Sequence, residues 1–131
     1  MNGVKTLAVL VASLAVAAPP KTVRLAIVHT VHGCHVFASS RELGAAPKLT
    51  VAPGARLVLR VNCPMTFTFR QVRGPKLAFG DPMFYPGTQR TIVFAKRGTY
   101  VLAGVNVQSS ADMGLQTLGP DNHLTLTVVV R

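Results

Sequence analysis

The chain has 131 residues, 49% of them hydrophobic and 14% charged, with fourteen Lys/Arg against four Asp/Glu for a net charge of +10. That length holds one domain, and this much apolar material excludes a disordered chain, because there is surface enough to bury against the entropy of ordering. Two cysteines are too few for a disulfide-dense miniprotein, and the lack of Trp beside abundant Val, Thr and Gly favours an all-β fold over a helical bundle.

The N-terminal segment reads as a leader. Met1 to Lys5 carries one positive side chain, and Thr6 to Ala18 carries none. An apolar run of about a dozen residues is too short for a bilayer span and suits the h-region of a signal peptide. Ala15-Val16-Ala17 supplies the small-x-small pattern, and Pro19-Pro20 stops any helix from continuing. The expected division is a signal peptide over residues 1–17, cleaved after Ala17, and one domain over residues 18–131. The mature protein is then secreted, periplasmic or cell-surface, where cysteines pair and metals are taken from the medium.

Beyond Pro20 the chain alternates in the manner of short strands between Gly and Pro turns. From Lys21 to His29, the residues Val23, Leu25, Ile27 and His29 share one face, and Arg24, Ala26 and Val28 the other. Leu49 and Val51 begin a second strand, which Pro53-Gly54 ends. In the next, Leu57, Leu59, Val61 and Cys63 alternate against Arg56, Val58, Arg60 and Asn62. Thr66 to Val72 points Phe67 and Phe69 inward and Thr66, Thr68 and Arg70 outward. Strands over residues 88–95 and 99–105 follow, joined by Lys96-Arg97-Gly98, and residues 124–130 make a β-branched last strand. Seven or so such strands predict an antiparallel sandwich with its core between two sheets. Residues 108–123 form the one long stretch without a period, as functional loops often do.

Two stretches resemble the cupredoxin family. Leu49 to Asn62 is similar to its strand, Gly turn and strand ending in Val-Asn. Pro86-Gly87 through Phe94 to Gly98-Thr99-Tyr100 is similar to its Pro-Gly, strand, Phe and Gly-Thr-Tyr pattern. The resemblance implies a cupredoxin-like Greek-key β-sandwich. It also implies copper, yet the family's ligand positions are altered. The Cys four residues after the Tyr is Gly104 here, Ser109 stands near the place of the loop His, and Thr66, Phe67 and Thr68 occupy the region of the first His. Met113 alone keeps a spacing similar to that of the axial Met. The ordinary blue-copper set of two His, one Cys and a weak Met is absent from these positions.

The metal-competent side chains lie elsewhere, in the run His29-Thr30-Val31-His32-Gly33-Cys34-His35. In the topology that the resemblance implies, this loop shares one end of the sandwich with Cys63, Met65 and Met113. Cys34, His35, Cys63 and Met113, with His29 or His32 as a further imidazole, would offer thiolate, imidazole and thioether, a soft set suited to one copper ion. Such a site would serve electron transfer or copper handling, with a redox or copper-donor protein as partner. His29 alone, on the inward face, also reads as an ordinary core residue. Met113 reads equally as packing under the long loop, Met65 and Met83 as packing, and His123 as a surface residue.

A second reading stays open. Cys34 and Cys63 in an oxidising compartment are also a possible disulfide, closing a loop of about 30 residues and contributing roughly 3–4 kcal/mol. The chain would then be a metal-free interaction module with a basic binding face. Outward parity puts Arg24, Arg56, Arg60 and Arg70 on such a face, suited to an anionic cell-surface polymer or lipid or to an acidic redox partner. Nucleic acid is not expected, since the aromatic residues that would stack on bases point inward. Catalysis is not expected either. Glu42, Asp81, Asp112 and Asp121 fall in predicted loops, and no catalytic motif appears. A monomer is expected.

Overall fold

Ten strands and no helix make up the described residues, 21–30, 35–107 and 123–131, of the computed structural model. They are β1 (Thr22–His29), β2 (His35–Ala38), β3 (Glu42–Gly44), β4 (Lys48–Val51) and β5 (Ala55–Val61). After these come β6 (Phe67–Arg73), β7 (Met83–Phe84), β8 (Gln89–Phe94), β9 (Gly98–Asn106) and β10 (His123–Val130). One five-stranded sheet has the order β3-β2-β1-β5-β8 and the other β4-β10-β9-β6-β7. The leader expected over residues 1–17 lies outside the described residues, as do His32, Cys34 and Met113.

The sheets are mixed, which corrects the expected antiparallel sandwich. β1 runs parallel to β5 and β4 parallel to β10, and the other pairs are antiparallel. The cause is a Greek-key excursion. After β3 the chain leaves the first sheet, adds β4 to the second, and returns to lay β5 beside β1. The return is the turn at Pro53-Gly54, where Gly54 has φ +87° and donates its N–H to Phe94 O at 2.8 Å. A positive φ of this size is open to glycine and strained for other residues.

The alternation read from the sequence sets the core. Leu25 and Ile27 of β1, Leu57, Leu59 and Val61 of β5, Phe67 and Phe69 of β6 and Leu124, Leu126 and Val128 of β10 are all buried between the sheets. Tyr100 is buried too. Its ring meets Phe94 edge-on at 5.0 Å, and its hydroxyl donates to Lys96 O at 2.6 Å, so the phenol is not left unsatisfied.

Four details differ from the sequence reading. Thr66 is buried rather than outward, just before β6 begins. Glu42 stands in the short edge strand β3 rather than in a loop, though it is exposed. β3 and β7, of three and two residues, are too short to show a period. Finally, Arg70 lies on β6 in the second sheet, whereas Arg24, Arg56 and Arg60 lie on β1 and β5 in the first. All four arginines are exposed, but the proposed basic face divides between opposite sides of the sandwich.

Arg90 of β8 is the one arginine with inward parity, opposite Leu59. Its guanidinium sits 4.7 Å from the centre of the Phe84 ring and donates to the carbonyls of Phe79, Asp81 and Met83. It thereby joins edge strand β8 of one sheet to the segment entering edge strand β7 of the other.

Candidate metal centre

The parity of β1 and β5 builds the site. The two strands are parallel with Ile27 opposite Val61, both inward and fully buried. Two residues further on, the same face carries His29 on β1 and Cys63 just beyond β5. Asn62 N–H donates to Ile27 O at 2.9 Å and holds the end of β5 against β1. On the other side of β1, the antiparallel pair with β2 sets His35 opposite His29. One row across three neighbouring strands therefore presents His35, His29 and Cys63 at a single end of the sandwich.

Their ligand atoms all lie within 4.8 Å of one another. The two imidazoles stand edge to face, with ring centres 4.2 Å apart at 88°. His35 is only 1% exposed and its other flank is the Phe67 ring, 5.2 Å away. Nε2 of His35 is buried, so bringing a cation to it needs little further desolvation of the ring. His29 keeps the inward parity expected of it but is exposed, because the strand runs past the end of the core. The site thus has a buried imidazole, an exposed imidazole and a half-buried sulfur.

Cys63 has no disulfide partner among the described residues. Burial pushes its thiol above the usual range, and the Met65 backbone hydrogen bond to it acts in the opposite direction. A protonated, half-buried thiol is a poor nucleophile, whereas a nearby cation would favour the thiolate. Metal–ligand bonds of about 2.0–2.3 Å place ligands roughly 3.4–4 Å apart around one ion, so atoms within 4.8 Å of one another need to close by about 1.4 Å at most. Two imidazoles and one thiolate have the composition of a trigonal copper site. The residues present fit the metal that the sequence suggested.

Of the residues proposed from sequence, His29, His35 and Cys63 come together. Cys34, His32 and Met113 fall outside the described residues. The chain passes out of the described part after Val107 and re-enters at His123. Both flank this end, since Val107 N–H donates to Thr66 O and His123 pairs with Val105. His123 is exposed at the start of β10. Met65 is buried in the core, and Met83 on β7 accepts a hydrogen bond from the Thr68 hydroxyl at 3.0 Å. Sequence reasoning did not single out Phe67 as a wall of the site, although its inward parity was legible. Neither described carboxylate takes part: Glu42 is on the far edge strand β3, and Asp81 accepts the Met83 N–H.

The position where the resemblance would put a cysteine ligand is filled. Gly104 on β9 is buried opposite Phe69, and a Cβ there would meet the Phe69 ring at 2.5 Å. No side chain projects from that point, and the His/Cys group lies instead along the end of the other sheet.

No family model matches the chain, and no curated protein matches it. Solved structures do. A purple cupredoxin from Nitrosopumilus maritimus is 14% identical, with 80% of this chain and 97% of that one covered, at a TM-score of 0.47. Amicyanin from Paracoccus versutus is 16% identical, with 88% and 87% covered, at 0.48. A cysteine protease inhibitor from Entamoeba histolytica is 12% identical, with 87% and 99% covered, at 0.47. The strands themselves form the two-sheet β-sandwich expected from the sequence.

Proposed function

We propose that this protein binds a single copper ion through His29, His35 and Cys63, for electron transfer or copper handling outside the cytoplasm. The observation that carries the reading is the convergence of two imidazoles and one sulfur within 4.8 Å at one end of the sandwich. When bound, the ion would supply one-electron redox chemistry or serve as cargo for a copper-donor or redox partner protein. The protein's own contribution is position. His35 is locked between His29 and Phe67, Cys63 is held by the end of β5, and His29 is the ligand open to solvent. Cys34, His32 and Met113 remain proposed additional ligands.

The test is a thiol count on the metal-free protein, followed by titration with Cu(II) watched by visible absorption and electron paramagnetic resonance. One equivalent should produce a thiolate-to-copper charge-transfer band, and Cys63→Ser should abolish it. Cys34→Ser run in parallel decides whether that residue belongs to the site. A metal-free protein without titratable thiol and without any band would instead favour the interaction module held by a Cys34–Cys63 bridge. The leader is tested separately, by the mass of the exported protein, which should begin after Ala17.

A further inference from the structure

The outer face of the first sheet carries a groove that the copper reading leaves unused. It has a volume of about 270 Å³, and the side chains that line it are those of Arg24, Ala26, Ala38, Ser39, Val58, Arg60 and Gln89. Its shape follows from the register. Ala38, Ala26, Arg60 and Gln89 are successive partners across β2, β1, β5 and β8, and Arg24 and Val58 are partners one step further along. Small side chains on the middle strands make the floor, and the long ones beside them make the walls. Val58 points outward yet is only 9% exposed, as expected of an apolar side chain among long arginine stems.

The chemistry of this groove is one-sided. Two guanidiniums, an amide and a hydroxyl can all donate, and no carboxylate lines it. Arg24 and Arg60 are diagonal neighbours across the β1–β5 pair, about 7–8 Å apart at the backbone, close enough for both to reach one tetrahedral oxyanion. Arg56 stands four residues before Arg60 on the same strand and face, about 13 Å away. Neighbouring like charges disfavour the sheet, and shielding Val58 calls only for long stems, which an Arg/Glu pair would supply as well. Arginine forks match sulfate and phosphate oxygens in pairs, which a diffuse solubilising charge does not require.

We infer that this groove binds a sulfated or phosphorylated polyanion, with Arg24 and Arg60 gripping one ester group and Arg56 meeting the next along the polymer. Binding there is independent of the metal centre at the end of the sandwich.

The experiment is calorimetric titration of the full chain with a short heparin oligosaccharide at two salt concentrations. Inorganic sulfate and anionic phosphatidylserine vesicles serve as separate arms. The oligosaccharide should bind with one saturable, salt-sensitive site, and far more tightly than sulfate. Arg24→Gln with Arg60→Gln should weaken it about tenfold or more. Arg70→Gln with Arg73→Gln removes the same charge from the other sheet and should change it less than about twofold. Thermal unfolding of each variant checks that the fold is retained. Equal losses in the two pairs would reduce the effect to net charge and overturn the proposal. So would binding of vesicles alone, or no binding of the oligosaccharide. None of these outcomes bears on copper, which is read by its own titration.

Discussion

Gly104 lies under the ring of Phe69, so close that a Cβ there would stand 2.5 Å from Phe69 Cε1 and 2.6 Å from Cζ. The pair spans β6 and β9 in the second sheet. It fills the inner space where the family resemblance would put a metal-binding cysteine, and it leaves the His29, His35 and Cys63 row on the first sheet as the available donor set among the described residues.

The first prediction concerns this pair. Gly104→Ala should destabilise the domain by about 1–3 kcal/mol through overpacking, because the obstacle is a ring flanked by Phe37, Phe67 and Phe84 rather than a flexible chain end. In a Phe69→Leu background the same change should cost measurably less, since the two side chains compete for one volume. Urea unfolding of the four proteins of the cycle measures the coupling.

Arg90 is a second structural commitment, and lysine should not replace it. The cation over Phe84 survives Arg90→Lys, but the fork that reaches Phe79, Asp81 and Met83 together does not. A loss of about 1–2 kcal/mol is expected for this half-buried group. Hydrogen exchange should quicken at residues 79–84 before it does so in β9 or β10, because that segment is what the guanidinium holds.

Much of this was legible before any coordinates. Period-two alternation in residues 21–29 and 55–63 placed His29 and Cys63 on the inward faces of their strands, and that parity is what lets them meet. Alternation says nothing, however, about which distant strand becomes a neighbour. The parallel pairing that sets Ile27 against Val61, and so brings Cys63 level with His29, comes from a Greek-key return over the second sheet. The same blindness grouped Arg70 with Arg24, Arg56 and Arg60, since parity tells inward from outward but not one sheet from another. Arg90 was open to a better reading, because it alternates with Ile92 and Phe94 and so shares their inward face.

The Cys63 thiol yields a pH prediction for the metal-free protein. Its folded pKa is raised, chiefly by burial, so the native state holds the proton more tightly than the unfolded chain does. The resulting stability is fully present below the unfolded thiol pKa and is lost as pH rises through the folded one. Unfolding free energy should therefore fall at alkaline pH, and Cys63→Ser should flatten that part of the profile. Alkylation by iodoacetamide should likewise lag behind that of a free cysteine at neutral pH. Copper should remove both signatures, because the ion binds the thiolate.

The two imidazoles should separate binding from folding. His29 is exposed at the end of β1, and His35 is buried between it and Phe67. His29→Ala removes a ligand with little packing, so the metal-free protein should keep its stability to within about 0.5 kcal/mol while the copper charge-transfer band is lost or shifted. His35→Ala empties a buried volume beside Phe67 and should cost about 1–3 kcal/mol as well as the metal. His35→Phe refills much of that volume without a donor nitrogen. It should recover part of the stability and none of the copper binding, as read by thermal unfolding beside copper titration. Unchanged copper binding in His35→Phe would remove that imidazole from the ligand set.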